Sequence, residues 1–202
     1  DGLEIQSNGS LDNLSPLNGL ESISGSLNIS DNQALESLSG LETLASIGKD
    51  LTIGNNAKLE DLTGLISLKT VVGTVAIAGN PSLITLKGLS SLENVDGDVR
   101  IGWNPTLQNL GGISGLKTVG YDLEIKENDT LQSIDGLSSL SSVAGYFGVL
   151  GNPEIESIDG LNSLTTMPGF LQISDNEKLQ SVQGLNNLME LGEWELKDNP
   201  SL

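Results

Sequence analysis

Asparagine recurs along this chain at a spacing that leaves few folds open. Asn8, Asn32, Asn56, Asn80, Asn104, Asn128, Asn152 and Asn176 each stand 24 residues after the one before, and Asn199 follows after 23. The full unit reads L-x-I-x-x-N-x-x-L-x-x-L-x-G-L-x-x-L-x-x-V-x-G-x, as in LNISDNQALESLSGLETLASIGKD from Leu27 onward. A fixed period of this length marks a coil in which one small unit stacks on the next, since no unit can bury its apolar side chains alone. About eight and a half copies fill residues 1–202, so a single coiled domain is expected.

Leu27 and Ile29 alternate with Asn28, the period-two signature of a short strand with one face turned inward. The pair recurs as Leu51/Ile53, Val75/Ile77, Val99/Ile101, Leu123/Ile125, Phe147/Val149 and Leu171/Ile173, and as Trp194/Leu196 after the one-residue deletion. Strands from successive copies should therefore stack in parallel, about 4.8 Å apart. Further apolar columns, among them Leu35, Leu59, Leu83, Leu107, Leu131 and Ile155, close the interior from the other sides. The expected fold is a right-handed solenoid, β-helix-like, with one parallel sheet and otherwise mostly loop.

An amide lodged among inward-facing aliphatics costs about 1 to 3 kcal/mol if it is left unpaired. A stacked ladder removes that cost, because each Asn can bond backbone groups freed where the chain leaves its strand and can bond the next turn as well. Asn80, Asn104, Asn152 and Asn199 are followed by proline, which enforces a bend and has no donor to satisfy. Gly40, Gly64, Gly88, Gly112, Gly136, Gly160 and Gly184 form a second column, with Pro16 in the first copy, where a corner calls for positive φ or close backbone approach. Sequons begin at Asn8, Asn13, Asn28 and Asn128; a glycan on Asn8 or Asn128 would conflict with an inward ladder, so these matches read as coincidence.

Composition narrows the chemistry. The chain has no Cys and no His, which excludes disulfides, thiolate or imidazole metal sites and the common nucleophile triads. Asp plus Glu number 27 against 9 Lys plus Arg, a formal charge of −18 that repels nucleic acid and anionic lipid. No apolar run approaches the roughly 20 residues of a membrane span, so no direct insertion is expected from this segment. Nothing has the form of a signal peptide, and a start at Asp1 suggests a mature chain.

The segments GLSSLENVDGDVRIGWNPTL and GLNSLTTMPGFLQISDNEKL resemble the receptor L-domain branch of the leucine-rich repeats, and the resemblance covers essentially the whole chain. It implies a leucine-rich-repeat solenoid that binds a ligand at a cell surface or in the secreted fraction, as in insulin-type and EGF-type receptor ectodomains, fungal cell-wall proteins and bacterial surface proteins. The cysteines that bound animal L domains are missing here and the copies are more uniform, which points to a microbial surface or secreted protein. The chain begins and ends inside repeats, so further repeats, another domain or a partner are expected at those ends.

With Leu and Ile inward, the residues beside them form the outer face of the sheet. Its first half is small or polar, with Ser26, Asn28, Thr52, Gly54, Ala76 and Ala78. Its second half carries Arg100, Trp103, Tyr146, Leu150 and Phe170, a concentration of large side chains in a protein with six aromatic residues. Exposed aromatic clusters mark recognition surfaces, so these five are the candidate site, for a protein partner first and a cell-surface glycan second. Asp98 and Asp122, near Arg100, Glu124 and Lys126, admit acid and base chemistry on a polysaccharide, but mixed charge on a solvated face is the ordinary outcome; no catalytic residue, metal ligand or cofactor is assigned. Hydroxyl columns such as Ser22, Ser46, Thr70, Thr118 and Ser142, or Ser37, Thr85, Ser133, Ser157 and Ser181, admit an ice-binding face, against which stand interspersed Lys69, Glu93 and Lys117.

Overall fold

A computed structural model describes all 202 residues, Asp1–Leu202, as a parallel β-solenoid of about eight turns with no α-helix. Four-residue strands at Leu3–Gln6, Leu27–Ser30, Leu51–Gly54, Val75–Ala78, Val99–Gly102, Leu123–Lys126 and Phe147–Leu150 stack in the expected register, Leu27 on Leu51 and Ile29 on Ile53. Each strand supplies two inward side chains, and 47 buried apolar residues form one continuous core along the coil. No helix is long and apolar enough to cross a membrane.

A second stack was not anticipated. Two-residue strands at Ser22–Ile23, Ser46–Ile47, Thr70–Val71, Asn94–Val95, Thr118–Val119 and Ser142–Val143 pair in parallel beside the first stack. The two join in the long strands Thr166–Ser174 and Glu190–Lys197. The hydroxyl column Ser22, Ser46, Thr70 is thus the outer row of this short stack. The column Ser37, Thr85, Ser133, Ser181 serves the corners instead: each hydroxyl accepts from the backbone N–H two residues on, as Ser133 does from Asp135 at 3.0 Å.

The asparagine ladder is formed from Asn8 to Asn199. Oδ1 of Asn104 accepts from the backbone N–H of Asn80 at 3.1 Å and from its Nδ2 at 3.2 Å, while Nδ2 of Asn104 donates to the Ile77 carbonyl at 3.0 Å. Its Nδ2 also donates to Oδ1 of Asn128 in the following turn at 3.4 Å, so one side chain ties three turns. Asn32, Asn56, Asn80, Asn104, Asn128, Asn152 and Asn176 are fully buried, so no glycan can reach Asn128. Asn199 is half-buried, and Asn8, in the first coil described, is exposed, contrary to the inward position expected for it. Satisfaction along the interior is nearly complete: the one buried side-chain polar atom without a partner is Oδ1 of Asn28.

The glycine column works by close approach. A Cβ at Gly64, Gly136 or Gly184 would run into the carbonyl of Leu38, Leu110 or Ile158 in the turn below. Positive φ is confined to Gly40 (113°) and Gly88 (121°) among the seven. In those two turns no 3-10 segment forms, whereas Thr63–Leu65, Gly111–Ile113, Asp135–Leu137, Asp159–Leu161 and Gln183–Leu185 each carry one.

Candidate functional site

The outer face of the long-strand stack changes character along the coil. Where Ala76 and Ala78 give way to Arg100, Trp103 and Lys126, a groove of about 460 Å³ opens, lined by these residues with Gly102, Asp122, Glu124 and Tyr146. Of the five residues singled out in the sequence, Arg100, Trp103 and Tyr146 line this one groove. Leu150 and Phe170 lie outside it. Leu150 pairs with Lys126 on the next strand, and Phe170 stacks behind Tyr146 with ring centroids 6.0 Å apart.

Trp103 owes its position to an unusual backbone. The residue before each ladder Asn is left-handed in every turn, with φ of 59° at Asp31, 56° at Asn55, 70° at Gly79, 54° at Trp103, 52° at Glu127 and 61° at Gly151. The column holds mostly Gly, Asn, Asp and Ser, which tolerate or favour this region, so a tryptophan there is an outlier costing about 1 to 2 kcal/mol. Its side chain is 53% exposed, and the ammonium of Lys126 sits 4.5 Å from the ring centroid.

Tyr146 is more deeply seated than a free surface aromatic. Its ring lies across Gly148, where a Cβ would strike it, and its hydroxyl donates to Oε1 of Gln172 at 2.8 Å. Gln172 in turn donates to Glu195 at 2.9 Å. Burial first, then the charges of Glu124, Asp122 and Glu195, pushes the phenol above its ordinary pKa.

The charged residues are tied to the fold. Arg100 pairs with Asp98 at 2.9 Å and Lys126 with Glu124 at 2.7 Å, each across two positions of its strand or strand end. Asp98 also accepts from the Asp122 backbone N–H at 3.0 Å, and Asp122 from that of Tyr146 at 2.8 Å. Both carboxylates, the pair considered above for acid and base roles, are used to hold successive turns. No group of three or more acidic side chains is gathered as a metal would require.

Lys126 and Glu124 belong to the groove more centrally than Leu150 or Phe170. Their signal was the register itself, since Lys126 falls beside Gly102 and so has room to fold back toward Trp103. Tyr121, 66% exposed, was also missed; it stands in a column otherwise rich in glycine and does not line the groove. No family model matches the chain, and no curated protein or solved structure matches it significantly.

Proposed function

We propose that this chain is a non-catalytic recognition module of the receptor L-domain, leucine-rich-repeat type, secreted or displayed at a cell surface, that binds a protein partner through the groove at Arg100, Trp103 and Tyr146. Leu150 and Phe170 extend the surface beyond Tyr146. The observation that carries this reading is Trp103: a bulky, exposed side chain held in a left-handed conformation that favours glycine. Backbone strain of that kind persists where the side chain is needed, and tryptophan is the residue most enriched among interface anchors.

The same column supplies the test. Gly79 and Gly151 occupy the equivalent place in other turns, so the backbone accepts Trp103→Gly. Relief of about 1 to 2 kcal/mol of strain is set against about 0.5 to 1 for the lost Lys126 contact and a similar entropy term for glycine, leaving stability within about 1 kcal/mol of the parent. Peptide and glycan arrays probed with both purified proteins should show peptide binding that falls at least about tenfold in the variant. Binding to glycans alone would favour an adhesion module, the runner-up. Peptide binding that survives Trp103→Gly would move the site elsewhere.

A further inference from the structure

The groove contains a seat for a cation, and the chain fills it with its own Lys126. Nζ of Lys126 lies 4.5 Å from the Trp103 ring centroid and 2.7 Å from Oε2 of Glu124. Its stem crosses Gly102, where a Cβ would stand 3.1 Å from Cγ of the lysine. This pair is more enclosed than the corner pairs of the same coil: Lys126 and Glu124 are 25% and 21% exposed, against 57% and 63% for Lys58 and Glu36. An aromatic face beside a carboxylate, partly shielded from water, is the arrangement that selects positive charge.

The surroundings favour the same sign. Asp98, Asp122 and Glu124 face Arg100 and Lys126, and Arg100 is already held by Asp98 at 2.9 Å. Displacing Lys126 leaves three carboxylates against one cation on a chain of formal charge −18. An anion arriving here would find Arg100 occupied and Glu124 repelling it. A neutral group would evict Lys126 without replacing its contact to Glu124.

We propose that the partner places an arginine or lysine side chain on Trp103 against Glu124, and that Lys126 is a built-in competitor which must leave first. The proposal rests on the reading of the groove as a recognition site. Arginine is the better fit, because a guanidinium can stack on the indole and engage Glu124 through two parallel N–H groups.

The test uses the whole chain carrying Trp194→Phe, so that Trp103 is the one remaining indole. Its fluorescence is followed while blocked Gly-Arg-Gly, Gly-Lys-Gly, Gly-Gln-Gly and Gly-Glu-Gly peptides are titrated. Lys126→Met keeps the stem over Gly102 and removes the charge, and should tighten arginine-peptide binding about fivefold, as expected for losing a competitor held by one cation–π contact and one ion pair. Lys126→Ala should act in the same direction. Glu124→Gln should weaken binding, and Lys58→Ala, which removes the same charge at a distant corner, should leave it unchanged. No tightening in either Lys126 variant, or equal binding of the glutamate peptide, overturns the proposal. Uncharged or acidic peptides that bind, and whose binding measured by titration calorimetry is lost with Trp103→Gly, would retain the groove as a recognition site while refuting its cation preference; absence of binding by all four peptides to Lys126→Met would overturn the cation seat, and blank arrays would remove the recognition reading itself.

Discussion

Replacing Asn104 by alanine should cost this protein several kilocalories, and the same change at Asn8 almost nothing. Asn104 is fully buried; its Oδ1 accepts the Asn80 backbone N–H at 3.1 Å, and its Nδ2 donates to the carbonyls of Ile77 and Gly102, both at 3.0 Å. Truncation leaves the Asn80 N–H without its acceptor and takes a donor from each carbonyl, in a place water does not reach. At about 1 to 3 kcal/mol for each buried group left unpaired, and with some room for relaxation, the expected loss is about 4 kcal/mol. Asn8 is exposed and its Oδ1 accepts nothing; its Nδ2 bonds to Gln6 and Asn32 can be replaced by water, so Asn8→Ala should cost less than about 1 kcal/mol. Urea unfolding followed by far-UV circular dichroism reads both. Because a coil can open turn by turn, amide exchange at Asn80 should be read alongside, and should accelerate in Asn104→Ala. Equal losses at the two positions, or unchanged protection of Asn80, would refute the view that the amide ladder ties the turns together.

Gly136→Ala should destabilise by more than about 3 kcal/mol or shift the corner, since its Cβ would strike the Leu110 carbonyl, whereas Gly9→Ala meets open space and should stay within about 0.5 kcal/mol; thermal melts of the two distinguish close approach from a general intolerance of side chains. In a Tyr121→Phe background, absorbance at alkaline pH isolates Tyr146, which should ionise above the ordinary tyrosine range. A phenol with a raised pKa in the folded state contributes stability that is present below its unfolded pKa and lost as pH rises through the folded one, so stability should fall in that alkaline window and Tyr146→Phe should flatten the fall.

The period, the strand register and the ladder were legible because one repeated mistake would have to be made at every copy for them to be wrong. Asn104 in isolation says little; eight asparagines in phase, with a ninth one residue early, specify an inward column. The short stack at Ser22–Ile23 and its equivalents was not legible, since two residues carry no alternation to read. End effects were hidden for a different reason. Asn8 and Trp194 occupy inward columns by sequence, yet both are exposed, because burial in a coil depends on the neighbouring turn and not on the residue. In the groove, the sequence pointed to Arg100, Trp103 and Tyr146 but not to Lys126 folded back over Gly102, which depends on side-chain direction between turns. Tyr146 is half-buried over Gly148 rather than free; alternation puts both on the outer face, but the direction in which the ring folds does not follow from it.

The last turn is one residue short, and the register slips between Met167 and Phe170, leaving Leu171 still opposite Trp194 and Asn176 still bonded to Asn199. Length errors are thus absorbed at a bend while the rails on either side run true. A gene encoding such a chain can gain, lose or exchange whole coils, or stray by a codon at that bend, without derailing the segments already in place. The groove, drawn from four consecutive coils between Ala76 and Tyr146, is accordingly a portable cassette: under the recognition role proposed for it, swapping those coils would change what it binds, with the rest of the stack serving as an indifferent track.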